Sequence, residues 1–355
     1  MAQIDKPNLH FNTLLYTGNN TSPRSITGVG FRPDLVWIKD RSDTSISPVA
    51  DVVRGSNKSI KFSSNAADET NSAYGYLTSF DSDGFSMAIG SSSFSRINEN
   101  SNSYVAWNWK AGNSQGSSNT DGSINTTYTS VNTTAGFSIS QYTADGNNGA
   151  TIGHGLGAVP KVIFVKALAT TDNWEVYHGS LGAEKYLELQ SNAAQADSAQ
   201  IWNDTEPTNQ VFSIGINSGV NTNGNAYIAY CFAEKKGFSK FGSYTGNNNN
   251  GDGPFIYTGF KPALVITKKY DSTGYWVVQD NKRSSVGGPN PNDKWLYMNV
   301  SDAEYNASSY PMDLLSNGFK IRHNGNYQNS SNNYIYMAFA ENPIVGSNNT
   351  PTTAR

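Results

Sequence analysis

The stretch Gly259-Phe260-Lys261-Pro262-Ala263-Leu264-Val265-Ile266-Thr267-Lys268 occurs in three versions along the chain. The others are Gly30-Phe31-Arg32-Pro33-Asp34-Leu35-Val36-Trp37-Ile38-Lys39 and Gly157-Ala158-Val159-Pro160-Lys161-Val162-Ile163-Phe164-Val165-Lys166. All fit Gly-x-x-Pro-x-[Leu/Val]-[Val/Ile]-x-x-Lys. A glycine free to take an unusual turn, a proline that cannot donate to a ladder, and a β-branched run behind it mark the entry to a β-strand.

The flanks repeat with it. A Tyr-Thr pair stands upstream of each proline (Tyr16-Thr17, Tyr142-Thr143, Tyr244-Thr245), and a phenylalanine opens a strand downstream (Phe85, Phe212, Phe319). Each copy closes on an aromatic strand: Tyr104-Val105-Ala106-Trp107-Asn108-Trp109, Tyr227-Ile228-Ala229-Tyr230-Cys231-Phe232 and Tyr334-Ile335-Tyr336-Met337-Ala338-Phe339. A period of about a hundred residues is too long for a solenoid unit and marks tandem domains. The expected fold is all-β: three tandem antiparallel β-sandwich modules, jelly-roll or lectin-like. Their bounds are 1–112, 136–236 and 237–346, with a Gly/Asn/Ser/Thr-rich linker at 113–135 carrying one loose strand near 124–131, and a polar tail at 347–355. The second and third modules have no linker between them and are expected to pack as a near-rigid pair.

Alternation in the closing strands puts Val105, Trp107 and Trp109 on one face, with Ile228, Tyr230, Phe232 and Ile335, Met337, Phe339 as counterparts. A large apolar face at period two in every copy marks a central sandwich strand packed on its core, a reading preferred to an exposed carbohydrate platform. Trp174 and Trp276 occupy equivalent places and read as core plugs; the first module has Ser47 there. Further strands are expected at 59–63, 75–80 and 85–89, and the one helical candidate is the alanine-rich 192–199.

Only 15 % of residues are charged, and the net charge is −3 with no basic run, which argues against nucleic acid as a partner. The single Cys231 sits mid-strand, reads as a buried inert thiol and can form no internal disulfide, which points to synthesis in a reducing compartment. No apolar run is long enough for a membrane span, and the polar N-terminus has no signal-peptide core. The four histidines, His10, His154, His178 and His323, have no metal-ligand spacing, and no serine stands in a nucleophile elbow. Ile152-Gly153-His154-Gly155-Leu156-Gly157 leads into a strand, whereas a phosphate loop must open a helix. The Asn-rich turn 246–253 reads as a flexible hairpin tip, although its oxygens would suit calcium. No catalytic residue, cofactor or metal is expected. Trp202 and Trp295 read as loop-borne and are the candidate ligand contacts, because flat apolar rings stack on sugar faces.

Thr151-Ile152-Gly153-His154-Gly155-Leu156-Gly157-Ala158-Val159-Pro160, Asp172-Asn173-Trp174-Glu175-Val176-Tyr177-His178-Gly179-Ser180-Leu181-Gly182 and the endings Trp109-Lys110-Ala111-Gly112 and Phe339-Ala340-Glu341-Asn342-Pro343 resemble a repeated module of virion structural and tail-fibre proteins of marine, cyanophage-like tailed phages. The resemblance spans nearly the whole chain and is weakest in the first module. It implies a non-enzymatic β-sandwich component of the virion exterior, made in the host cytoplasm: a tail fibre, a knob or a capsid decoration. The partners it implies are other virion proteins and further copies of the chain, with host surface glycans as candidate ligand; the tail 347–355 is expected at such an interface. The alternatives are a polysaccharide depolymerase and a purely structural cement protein.

Overall fold

The computed structural model describes residues 3–285, 287–288 and 290–345. The fold is all-β, with antiparallel sheets throughout and two single-turn α-helices, Ala199–Trp202 and Ser218–Asn221. Each repeat builds one large sheet. In the first, the strand order is Phe11–Thr17, Ser103–Trp109, Leu35–Asp40, Pro48–Asp51, Gly55–Lys61, Glu69–Thr70. The third follows the same order with Ser239–Thr245, Asn333–Pro343, Phe260–Lys269, Trp276–Asp280, Lys294–Tyr297 and Tyr305–Asn306. The second matches it and adds Thr126–Asn132 at one edge. A sheet of two or three short strands covers one side of each large one.

The repeated motif has a physical reason at each position. Gly30, Gly157 and Gly259 have φ of +86°, +63° and +82°, a turn that a side chain would strain. Strands Leu35–Asp40 and Val162–Ala167 start two residues past their prolines, whereas Pro262 falls at a register shift inside Phe260–Lys269. The Tyr-Thr tyrosines stack on the closing strand's first tyrosine at 5.0, 5.3 and 5.0 Å: Tyr16 on Tyr104, Tyr142 on Tyr227, Tyr244 on Tyr334. All six hydroxyls donate to carbonyls of the segment that precedes the closing strand, which in the second repeat is the helix Ser218–Asn221.

The closing strands are buried on both faces, but not with the partners that alternation suggested. The faces Val105-Trp107-Trp109, Ile228-Tyr230-Phe232 and Ile335-Met337-Phe339 meet one another in a single core shared by the three repeats. The opposite faces, with Tyr104 and Ala106, Tyr227 and Ala229, and Tyr336 and Ala338, line the individual sandwiches. Phe339 is the hub. Its ring lies 5.4 Å from Phe11, 5.6 Å from Trp109, 5.9 Å from Phe232 and 5.8 Å from Phe241.

Polar contacts around this core close a ring in which every repeat leans on the one before it. Tyr230 donates to Asp51 (2.7 Å), Trp107 to Asp280 (3.1 Å), and His178 Nε2 to the Tyr336 carbonyl (3.3 Å). Trp174 donates to the Lys61 carbonyl and Trp276 to that of Glu188. At the third junction, where the first repeat has Ser47, the contact is made by Ser45 N on Ser301 O and by Arg41 on Glu304. The first repeat thus meets the third as directly as the second meets the third.

Two other expectations change. Residues 192–199 are not a helix: Lys268 Nζ takes the Asn192 and Ala193 carbonyls, Gln195 N donates to Tyr270 O, and the helix begins only after the Ser198 cap. The expected loose strand near 124–131 is Thr126–Asn132, paired with Phe137–Thr143 in continuous register from Tyr128 onward with a bulge at its start, and the start of the linker is held by Asp34, which accepts from Ala111 N and Asn113 N. Tail residues 347–355 lie outside the described residues.

The motif lysines Lys39, Lys166 and Lys268 are completely buried at the junctions. Lys39 Nζ donates to Val300 O, Lys166 Nζ to Ala167 O, and Lys268 Nζ to the carbonyls of Ala193 and Gly274. Burial pushes Lys268 down to about 7, with the neighbouring Lys269 ammonium adding to it; burial likewise takes Lys39 to about 7 and Lys166 to about 8.

Two tests follow from this architecture. Phe339→Ala empties the hub of the shared core and should cost about 3–5 kcal/mol while leaving one unfolding transition, measured by denaturant titration with tryptophan and far-UV probes together. Separate transitions would mean that the sheets unfold as independent modules. A lysine lowered in the folded state releases its proton there while the unfolded chain, near 10.4, keeps it, so stability rises with pH between the two values. Between pH 8 and pH 10 the wild type should therefore gain stability and Lys268→Met should gain less; parallel profiles would show that Lys268 stays protonated in the fold.

Candidate ligand cleft

Most titratable side chains serve the packing. Arg54 is held by Asp51 (2.6 Å) and Asp68 (2.8 Å), and Arg283 by Asp280 (2.7 Å) and Glu304 (2.9 Å), all within or beside the junctions. Three histidines share one arrangement. The Nδ1 atoms of His154, His178 and His323 accept the backbone N–H two residues on, which leaves Nε2 to donate to Thr208 O, Tyr336 O and Gln328 Oε1. Burial lowers each to about 4, so the rings are neutral. Glu175, opposite Glu188 on the next strand, is pushed up to about 8 by burial first and then by the Glu188 and Asp172 carboxylates. Burial raises the Cys231 thiol, which is wholly enclosed. Among the described residues, no three His, Cys, Asp or Glu side chains are grouped to hold a metal ion. Asp252 of the Asn-rich turn pairs instead with Lys320.

The two tryptophans singled out from the sequence are in different situations, and neither is on a loop. Trp202 ends the helix Ala199–Trp202, is 2 % exposed, and packs edge-on against Tyr177 and Phe212 inside the second sandwich. With both faces covered it has nothing to stack on a sugar. Trp295 lies in strand Lys294–Tyr297 and is also 2 % exposed, but it forms the floor of a cleft of about 250 Å³ lined further by Tyr297, Tyr305, Tyr310, Gly325, Asn326 and Tyr327.

Alternation builds this cleft. Leu296 points into the shared core, so Trp295 and Tyr297 face the other way. Tyr305 is the cross-strand partner of Trp295 and is 49 % exposed. Tyr310 lies 5.5 Å from Trp295, and Tyr275 bridges Tyr297 (4.8 Å) and Tyr327 (5.0 Å). His323 stands behind, 5.6 Å from Trp295, and donates to Gln328, whose amide reaches Thr267 and Gln279. Gly325 is required here, because a Cβ would lie 2.8 Å from both His323 Nδ1 and Tyr310 Cδ1. Asn326 Oδ1 accepts from Lys269 Nζ (2.8 Å), which fixes the amide, and its nitrogen has no partner among the described residues. Sequence reasoning found Trp295 but missed the tyrosines; the alternating Trp295-Leu296-Tyr297 and the nearby Tyr305 and Tyr310 were the available signal.

No curated protein and no solved structure matches this chain. A family model described as Domain of unknown function (DUF7483) matches residues 6–343, nearly the whole length, and the chain belongs to that family.

Proposed function

We propose that the chain is a non-enzymatic component of a phage particle's exterior, a tail fibre, knob or capsid decoration that contacts other virion proteins and host surface glycans. The observation that carries this reading is the closed ring of three sheets around one aromatic core, with His154, His178, His323, Arg54, Arg283 and the motif lysines committed to packing and junctions. Such a body is a stiff mount for surface loops. Copies of it on a symmetric particle would let weak contacts add through avidity.

Immunogold labelling of intact particles with an antibody against the chain tests the assignment. Label at the tail tip supports attachment, and label spread over the head supports decoration. Particles that carry no label while the antibody detects the chain in the infected-cell lysate would refute the virion reading.

A further inference from the structure

The cleft over Trp295 differs from its counterparts in the other two repeats. The cross-strand pair Trp295–Tyr305 occupies the register held by Ser59–Glu69 in the first repeat and Tyr186–Ala196 in the second. Lys58, Lys185 and Lys294 precede it in all three. The scaffold is therefore constant and the aromatic pair is particular to the third repeat.

Its tyrosines are also brought together. Tyr16, Tyr104, Tyr142, Tyr177, Tyr227, Tyr230, Tyr244 and Tyr334 all donate within the chain. Among the described residues, the hydroxyls of Tyr275, Tyr297, Tyr305, Tyr310 and Tyr327 have no such bond; the same is true of Tyr74, Tyr76, Tyr128, Tyr186, Tyr257, Tyr270 and Tyr336, which are scattered over the three repeats, whereas the five of the cleft gather at one place. A tyrosine cluster serving only as core would bury its rings and bond its hydroxyls, as the stacked pairs elsewhere do.

We infer that this cleft is a saccharide subsite that takes one neutral pyranose ring, stacked on Tyr305 and hydrogen-bonded by the unpartnered tyrosine hydroxyls and the Asn326 amide. The chemistry selects this class. Aromatic faces fit the apolar C–H face of a sugar, and hydroxyl and amide groups at the rim fit its polar edge. Among the described residues no charged side chain lines the cleft, so an acidic sugar would find no counter-ion there. A volume of about 250 Å³ falls below the roughly 300–1,000 Å³ of clefts that enclose a drug-sized ligand, which limits the occupant to one ring of a longer glycan. The same rings could enclose a quaternary ammonium group, but that ligand has no use for hydroxyl and amide donors.

This inference rests on the reading of the chain as a glycan-contacting surface protein, yet the two fail separately, because binding is measured on the purified chain without a particle. The experiment is saturation-transfer NMR of the full chain with glucose, galactose, mannose, N-acetylglucosamine and choline at millimolar concentration. Transfer to at least one sugar, and not to choline, is expected. Tyr305→Ala should weaken it about tenfold, the upper range for one aromatic contact. Tyr305→Phe keeps the ring and should retain most of the affinity, while Tyr327→Phe removes a hydroxyl and should lower it with an unchanged melting temperature. Transfer to choline alone, to no probe, or to a sugar with Tyr305→Ala as strong as wild type would each overturn the assignment.

Discussion

The structure depends on the convergence of three period-two strand faces on Phe339. A closing strand buried on both faces needs a packed layer on each side. One face of each, with Tyr104, Tyr227 or Tyr336 beside its alanines, takes the covering sheet of its own repeat, and the other three faces meet each other. Three sheets meeting this way must lean in the same rotational sense, and the closing strands of the second, first and third repeats meet Asp51, Asp280 and His178 of the repeat before each. The arrangement is that of a cyclic trimer made within one chain, where each interface is heterologous and the third contact closes the circle.

The ring also explains where charge is tolerated inside. Asp51 and Asp280 each accept from the neighbouring repeat and from an arginine three residues on, so neither buried carboxylate is left uncompensated. In the second repeat the same two places hold His178 and Leu181, and the neutral imidazole donates to a carbonyl instead. The junction therefore needs a hydrogen bond at that point more than it needs an ion pair.

Strand content, the three-fold repeat and the burial of Trp174 and Trp276 could be read in the sequence, because they are local or periodic. What could not be read was the partner of each face. Alternation says that Trp107 and Ala106 point in opposite directions, but not which side meets another sheet of the same repeat and which meets a different repeat. The helix expected at 192–199 failed for a related reason: its alanines favour a helix, yet Lys268 and Tyr270, far away in sequence, claim its backbone. Trp202 and Trp295 looked alike beside polar neighbours, and only the fold shows one sealed in a sandwich and the other under a tyrosine rim.

That division bears on where new function can arise in such a chain. The motif lysines and the faces of the closing strands that carry Trp107, Tyr230 and Phe339 are bound into the junctions or the shared core, so a change at any of them is felt beyond its own repeat. The strand pair at the sheet's far edge is not so bound: the same register holds Ser59 and Glu69, Tyr186 and Ala196, or Trp295 and Tyr305 without altering the sheet order. Repetition of the scaffold frees this edge to differ between copies, and the third repeat has used that freedom to set Trp295 and Tyr305 into a cleft lined further by Tyr297, Tyr310 and Tyr327.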